Sequence, residues 1–284
     1  MTIYGSGHGN SHGNSHGNSH GNSHGNSHGN SAAPTGPGAG AVAYAALPLV
    51  IGEGITPVPA RAFDEAAVRP DLWALTRLRA VLMAIDPDDP ALTAAVPDWA
   101  ELVADRPLEK DLARALHGRP AALGLYGPEI QSQSAGFDHV FHLLLSVTPQ
   151  THPATYRLIA LAVQVSGIVG MHHKLKHRRP RPVQVWPGIL PMIPTPAHPS
   201  YPSNHATQAQ CVAELLALAL PGNPGMVAYL RAMAERIATN RELAGVHFAS
   251  DTEAGLALGT ALAAKLAALP EIADLVTGAA GELA

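Results

Sequence analysis

The sequence predicts an all-α protein: a single compact bundle of helices preceded by a disordered tail. Aromatic residues make up only 5% of the chain, while alanine and leucine dominate it, which favours helices packed closely through small side chains. The chain shows no run of alternating Val, Ile and Thr residues and no strand–helix–strand rhythm. With 284 residues it is long enough to bury a sizeable core.

The N-terminal segment, residues 1–40, consists mainly of a His-Gly-Asn-Ser repeat followed by glycine, alanine and proline. Its histidines recur at every fourth position from His8 to His28. Such a composition cannot bury apolar surface, so we predict that residues 1–40 are disordered. The repeat suits metal capture, as an affinity tag or as a natural low-complexity segment, and a tag is the favoured interpretation. The folded domain is predicted to cover residues 41–284.

Proline and glycine clusters separate the predicted elements in the first half of this domain. Residues 41–60 are apolar and interrupted by prolines and glycines, which indicates an extended segment leaning on the core. Helices are predicted at about 62–84 and about 98–117, the second one broken at its internal proline. Residues 118–136 are predicted to form a loop and about 137–147 a further helix.

The second half shows stronger helical periodicity. Residues 182–202 contain seven prolines and are predicted to form a stiff loop at the rim of a site. The last helix begins with capping-box spacing at Ser250–Glu253. Four helices are predicted in this half, at about 153–177, 205–220, 224–240 and 251–269.

Three short polar clusters stand out in this half of the chain. They contain three fixed cations, two histidines, a hydroxyl and a carboxylate within 78 positions. This inventory suits a tetrahedral oxyanion such as phosphate, because a phosphoryl group in transfer spreads negative charge over three oxygens. The clusters are Lys174-x6-Arg181-Pro182, Pro202-Ser203-Asn204-His205 and Arg241-x5-His247-x3-Asp251.

The residue types also predict individual roles. The two arginines and the lysine can bind the equatorial oxygens, the arginines as two-pronged donors. His247 lies four residues before Asp251, so a helical turn would let the carboxylate fix the tautomer of the imidazole and raise its basicity. His247 is therefore the candidate nucleophile. His205 lies at a predicted helix start, a favourable seat for an anion, and is the candidate general acid.

In order and spacing, the three clusters resemble the type 2 phosphatidic acid phosphatase (PAP2) / vanadium-dependent haloperoxidase superfamily, whose pattern is K-x6-RP, PSGH and SR-x5-H-x3-D. The resemblance covers about residues 150–265. It implies that His247 bonds covalently to phosphorus, or to vanadium in the peroxidases. It also implies that Asp251 orients His247 and that His205 is the acid/base. The residues that match the oxyanion-binding set of the family are Lys174, Arg181, Ser203, His205, Arg241 and His247.

Two positions depart from the family pattern. Asn204 stands in place of glycine and Asn240 in place of serine. Asparagine tolerates left-handed backbone geometry better than other non-glycine residues, so the loop is expected to keep its shape. Asn204 keeps its position in the oxyanion-binding set, and we expect its side chain to slow the reaction.

The resemblance implies one of two enzymes. The favoured one is a soluble bacterial-type phosphomonoester hydrolase, similar to an acid phosphatase, that forms a phosphohistidine and needs no cofactor. The alternative is a haloperoxidase that holds vanadate on His247 and oxidises halide with hydrogen peroxide. The segment around His198 resembles vanadium bromoperoxidases, in which this histidine is an accessory residue. Known haloperoxidases are usually much longer, with a second helical bundle, which favours the phosphatase.

Other functions are less compatible with the sequence. A non-catalytic oxyanion- or metal-binding protein remains as a further alternative. The net charge of −4 argues against a nucleic-acid binder. The longest uncharged apolar stretch, Leu158–Met171, is shorter than the ~20 residues of a membrane span, so no span is expected. The sequence leaves the location open: a soluble protein is expected to be cytoplasmic with the sequence as it stands, and periplasmic or secreted if the N-terminal tail replaces a signal peptide. The sequence also leaves a homo-oligomer open.

Overall fold

Residues 68–284 are described in this computed structural model, apart from the side chains of residues 119–123 and 135. The predicted disordered tail 1–40, the extended segment 41–60 and the start of the helix predicted at about 62–84 lie outside the described residues. No strand occurs within residues 68–284. The prediction of an all-α protein is therefore confirmed.

The chain forms a succession of helices joined mostly by short turns. A π-helical turn, Arg114–Gly118, lies between the fourth and fifth α-helices. The α-helices are α1 Pro70–Ala84, α2 Pro90–Ala95, α3 Trp99–Leu102, α4 Leu108–Asp111, α5 Arg119–Ala135, α6 His139–Leu144, α7 Pro153–His177, α8 Pro182–Val185, α9 Asn204–Ala219, α10 Pro224–Leu243, α11 Ala249–Ala267 and α12 Pro270–Glu282.

Helix α9 lies at the centre of the bundle. It packs against α7, α10, α11 and α12, while α7 also packs against α1 and α12. Small residues allow the closest approach: a Cβ on Gly259 of α11 would lie only 2.5 Å from the carbonyl oxygen of Thr207 in α9. The core is completed by buried aliphatic side chains, among them Leu158, Val165, Leu215, Leu216, Leu230, Leu258 and Leu262.

Three helix ends meet where the polar clusters lie. Helix α7 ends because Arg178 takes a left-handed conformation with φ 51°, and its N–H donates to the carbonyl of Lys174. Ser203 caps α9 by accepting the N–H of Ala206. The backbone N–H of Phe248, just before α11, donates to the carboxylate of Asp251 at 3.1 Å. Each polar cluster is thus fixed by the end of a buried helix.

The structure corrects several sequence predictions. The predicted loop 118–136 is the helix α5, and the predicted helix at about 98–117 is divided into α3, α4 and the π-helical turn. The glycines and Pro128 in 118–136 indicated a loop, but α5 packs on α10, and Glu129 forms an ion pair with Arg236 there. This tertiary contact outweighs the missing proline hydrogen bond. The capping-box prediction is also wrong in register, because α11 begins at Ala249.

One described stretch, Pro153–Val185, is long and apolar enough to cross a membrane, and half of its most apolar window is buried inside the fold. Helices α11 and α12 pass the same test only if taken together, and they are bent by 96°. The expected absence of a membrane span therefore stays a prediction.

Candidate active site

Three cationic side chains are almost completely buried near the helix ends. Lys174, Arg181 and Arg241 are 0%, 2% and 1% exposed. Within residues 68–284 none of them forms an ion pair with a carboxylate; their hydrogen bonds go to backbone carbonyls, two histidine rings and an amide side chain. Buried charges are normally paired, so this arrangement is prepared for an anion.

Lys174 lies in the last turn of α7 and is held by the proline-rich segment. Its Nζ donates to the carbonyl oxygens of Pro199 at 2.9 Å and Ser200 at 2.8 Å. Burial, and then the charge of Arg181, hold the pKa of Lys174 well below its ordinary value. These two carbonyls fix where the ammonium group lies.

Arg181 connects the proline-rich segment to the segment before α11. Its Nε donates to the carbonyl of His198 at 2.9 Å, and its Nη1 donates to the carbonyl of Val246 at 2.7 Å. The same Nη1 lies 3.0 Å from Nε2 of His247. Burial lowers the pKa of Arg181 to about 10, a shift that Asp251 opposes, so the group stays a cation at neutral pH.

Arg241, near the end of α10, faces the helix that the sequence did not predict. Its Nη2 donates to the carbonyl of Ile130 at 2.9 Å and approaches Oε1 of Gln133 at 3.4 Å. The neighbouring Asn240 donates to the same Gln133 oxygen at 2.9 Å. Burial lowers the pKa of Arg241 to about 10. Its Nε and Nη1 are buried with no hydrogen-bond partner in the described part of the chain.

His247 and Asp251 form the predicted pair. Nδ1 of His247 lies 2.9 Å from Oδ2 of Asp251 across the start of α11. The nearby N–H of Arg181 requires a lone pair on Nε2, which assigns the proton to Nδ1. Burial, followed by the charges of Arg181 and Lys174, holds the pKa of His247 well below its ordinary value. The neutral imidazole therefore has an unprotonated Nε2, as a nucleophile requires.

The start of α9 carries the remaining predicted residues. Nε2 of His205 lies 3.1 Å from the carbonyl oxygen of Gln133, and a carbonyl only accepts, so this nitrogen carries a proton. The backbone N–H of Ser203 donates to the carbonyl of Asp251 at 2.9 Å. Asn204 does not use left-handed geometry: it is the first residue of α9, and its Nδ2 donates to the carbonyl of Gly167 in α7 at 3.2 Å.

His198 lies beside Arg181 at the edge of the site. Its Nδ1 is 3.0 Å from Nη2 of Arg181. Burial, then the charges of Lys174 and Arg181, lower the pKa of His198 to about 4. The ring is only half-buried, so it is accessible from solvent while the three cations are not.

The sequence analysis missed three residues that contact the site. Gln133 bonds both His205 and Arg241, and it lies on the helix that was predicted to be a loop. The Ser200 hydroxyl donates to Asp251, and Arg179 forms an ion pair with Asp251 at 2.7 Å. Arg179 belongs to a basic run that could be interpreted as a charged surface, and a buried arginine in such a run has no signature of its own in the sequence.

The structure therefore joins the predicted residues in two groups. Lys174, Arg181, His198, His247 and Asp251 are connected by direct contacts or by their mutual electrostatic influence. His205 and Arg241 are connected through Gln133, and the charge of His205 also depresses the pKa of His247. Buried cations together with two histidines suit transfer of an anionic tetrahedral group.

Two comparisons with known proteins gave matches. The family model for the PAP2 superfamily matches residues 155–271. Among solved structures, the chain is similar to a transmembrane PAP2-type phosphatidylglycerolphosphate phosphatase from Bacillus subtilis. That similarity has 17% identity and a TM-score of 0.40, and it covers 66% of this chain and 91% of the other. No curated protein matches.

Proposed function

Residues 155–271 belong to the PAP2 superfamily, and on that premise we propose that the protein is a phosphatase that hydrolyses phosphomonoesters through a phosphohistidine on His247. The observation that carries the proposal is the set of three buried cations without an ion pair in the described part of the chain. A phosphate ester supplies the missing negative charge.

Within residues 68–284, Arg241 has unused hydrogen-bond donors that a phosphate ester would fill. Two of its nitrogens, Nε and Nη1, are buried and have no partner among the described residues. A buried N–H without an acceptor costs about 1–3 kcal/mol, more when the group is charged. A fold can retain this cost in its unliganded state because a bound ligand supplies the missing acceptors. Phosphate oxygens are strong acceptors for the two parallel N–H groups of a guanidinium.

The first chemical step is attack on phosphorus by Nε2 of His247. The P–N bond forms as the P–O ester bond breaks, and the leaving oxygen takes a proton from His205. Because Nε2 of His205 bonds the Gln133 carbonyl, we assign the transferred proton to Nδ1, which leaves that hydrogen bond intact. Asp251 stabilises the positive charge that develops on His247.

The second step is hydrolysis of the phosphohistidine. Water attacks phosphorus, gives its proton to His205, and displaces Nε2 of His247, so that orthophosphate leaves and both histidines return to their starting states. Lys174, Arg181 and Arg241 stabilise the charge on the equatorial oxygens in both steps. This scheme uses only side chains of the chain itself.

We further propose that the described domain acts without spanning a membrane. Helix α7 passes a length and composition test for a span, but it packs between α1, α9 and α12. Eleven of its residues are buried in the fold, the positively charged Lys174 among them. Recovery of active protein in the supernatant of detergent-free, high-speed-centrifuged lysate is expected; recovery only with detergent would contradict this proposal.

The central experiment measures p-nitrophenyl phosphate hydrolysis and traps the covalent intermediate. The wild type is expected to hydrolyse the ester and to give, after an acid-free quench, a phosphorylated peptide that contains His247. His247→Gln is expected to abolish both signals. The matched control is His117→Gln, an exposed histidine on the π-helical turn, which should leave both unchanged.

The same preparation distinguishes the other two functions. Orthovanadate resembles phosphate in shape and charge, and Lys174, Arg181 and Arg241 suit either anion. Vanadate is therefore expected to inhibit hydrolysis. Bromination of a dye by the vanadate-treated protein with bromide and hydrogen peroxide, without ester hydrolysis, would instead identify a haloperoxidase. Oxyanion binding without either activity would identify a non-catalytic binding protein.

A further inference from the structure

Arg179 differs from the other buried cations because it is paired with carboxylates. It is 4% exposed, and its Nη1 donates to Oδ1 of Asp251 at 2.7 Å. Its Nη2 donates to Oδ2 of Asp111 at 2.8 Å. Arg179 therefore bridges two buried acidic residues.

The contacts of Asp251 are divided between its two oxygens. Oδ2 accepts from Nδ1 of His247, from the backbone N–H of Phe248 and from the hydroxyl of Ser200. Oδ1 accepts from Arg179. Because Arg179 holds the oxygen that does not face His247, it fixes the rotation of the carboxylate about its Cβ–Cγ bond.

Asp111 and Ser250 hold Arg179 in turn. The Ser250 hydroxyl accepts from Nη1 of Arg179 at 2.7 Å and donates to Oδ2 of Asp111 at 2.7 Å. The backbone N–H of Ser250 donates to Oδ1 of Asp111 at 2.8 Å. The Phe248 ring lies 3.8 Å from the centre of the guanidinium group, so the plane of that group is also constrained.

The charges in this network alternate. Asp251, Arg179 and Asp111 are negative, positive and negative, and Arg106 then contacts Asp111 at 3.3 Å and Glu253 at 2.8 Å. The negative charge of Asp111 offsets the positive charge of Arg179. The negative charge of Asp251 therefore still acts on His247. A lysine could supply the charge of Arg179, but a single ammonium group cannot reproduce its planar fork.

We propose that Arg179 is a positioning residue of the site: together with Asp111 and Ser250, it holds the Asp251 carboxylate in the orientation that accepts the Nδ1–H of His247. The inference deepens the proposed phosphatase function, and only its activity readouts rest on that function. The orientation itself can be observed without any substrate.

The kinetic test compares Arg179→Gln, Arg179→Lys and Asp111→Asn with the wild type in p-nitrophenyl phosphate hydrolysis. Arg179→Gln is expected to lower kcat about 10- to 100-fold, the range that corresponds to a hydrogen bond between charged groups, with little change in KM. Arg179→Lys should recover only part of the loss. The control is Leu262→Ala, which leaves a cavity in the core far along α11. It should lower Tm without lowering kcat in this way.

The pH profile gives a readout that a merely structural role would not move. In Arg179→Gln the misoriented Asp251 carboxylate no longer stabilises protonated His247, so the acidic limb of kcat/KM should move to lower pH. Asp111→Asn releases Arg179 and should move the limb in the same direction. A move to higher pH in Arg179→Gln, which loss of the Arg179 charge alone would cause, or no move in either variant, would overturn the inference.

Proton NMR separates this inference from the proposed function. The wild type should show a low-field Nδ1–H resonance that His247→Gln removes and Leu262→Ala retains. Arg179→Gln should broaden it or move it upfield. If the wild type has no phosphatase activity, the proposed function is refuted, and this spectrum still decides the positioning role. If the resonance is unchanged in Arg179→Gln, the positioning role alone is refuted. If Arg179→Gln does not fold, Asp111→Asn and Ser250→Ala carry the same test.

Discussion

Gly255 of α11 faces the carbonyl oxygen of Ser203, and a Cβ at position 255 would lie 2.6 Å from that oxygen. This contact joins the helix that begins beside His247 to the helix that begins beside His205. It therefore sets the separation of the two histidines proposed to act on opposite sides of the phosphoryl group. No side chain larger than that of glycine fits there without moving one helix.

Gly255→Ala is therefore expected to impair both stability and activity. Overpacking of this kind costs about 1–3 kcal/mol of unfolding free energy, and the displaced helix should also lower kcat. The matched control is Gly281→Ala in α12, where a Cβ would meet nothing within 4 Å; a helical glycine replaced by alanine should gain about 0.5–1 kcal/mol. Chemical denaturation and steady-state kinetics of both variants check this prediction, and equal behaviour of the two would contradict it.

Arg241→Met should separate stability from activity. The unpartnered Nε and Nη1 of Arg241 are costly in the unliganded protein, and an apolar side chain of similar length removes that cost. We expect kcat to fall at least about 100-fold, as for the loss of one preorganised donor to a transition-state oxygen. We expect no decrease in Tm in the absence of oxyanion. A lowered Tm with retained activity would show that Arg241 serves the fold and not the reaction.

His173 is expected to make the fold sensitive to acid. It is completely buried in α7, and neither ring nitrogen has a hydrogen-bond partner within residues 68–284. Burial, reinforced by nearby positive groups, lowers the pKa of His173 to about 4, with Asp88 opposing the shift. The positive groups that add to the effect of burial are His172, His177 and Lys176.

The sign of this effect follows from the protons bound in each state. Between the unfolded pKa of about 6.5 and the folded pKa of about 4, the unfolded chain binds the proton that the folded protein excludes. The contribution of His173 to the free energy of unfolding is therefore fully present above the unfolded pKa. It is lost as the pH decreases from there towards the folded pKa, by at most about 1.4 kcal/mol per pH unit. His173→Leu should flatten the decline measured by urea denaturation at several pH values. Parallel curves for variant and wild type would rule out the assignment.

Oxyanion binding should be coupled to proton uptake. Burial holds the pKa of His247 well below its ordinary value, and a bound anion favours the protonated form of this histidine. Sulfate is a suitable probe because it does not titrate near neutral pH, so the protons can only be taken up by the protein. Calorimetry in buffers of different ionisation enthalpy should show uptake and tighter binding at lower pH.

The control for this measurement is Arg231→Gln in the N-terminal half of α10, which breaks an ion pair with Glu214 of α9. It should bind sulfate as the wild type does. Proton release on binding, or affinity that does not change with pH, would contradict the proposed coupling.

Long periodic helices were predicted well from the sequence, and the site residues less evenly. The predicted helix at about 153–177 coincides with α7 because a long, mostly apolar stretch lies between a proline at its start and a proline shortly after its end. The segment 118–136 was wrongly predicted, since glycines and Pro128 indicate a loop while its helical state depends on side chains of α10. Helix α12, which begins at Pro270, was not predicted at all.

The spacing of the polar clusters led directly to the His247–Asp251 contact, because four positions correspond to one helical turn. The contacts of Arg179 with Asp111 could not be found in this way. They join positions 68 residues apart, and nothing in the local pattern at either position specifies the other. Gln133 was missed for the same reason, and its role depends on a helix that only the folded bundle stabilises.

The buried termini of α7, α9 and α11 have a consequence for how the protein could diversify. The groups proposed for catalysis are fixed by the most deeply packed helices and by the two ends of the proline-rich segment, whereas residues 194–197 within that segment are largely exposed. Exchange of residues 194–197 is expected to alter which alcohol portion of an ester is accepted while the catalytic geometry stays intact. Grafting of this short stretch from relatives is thus a rational route to new substrate ranges on an unchanged helical bundle.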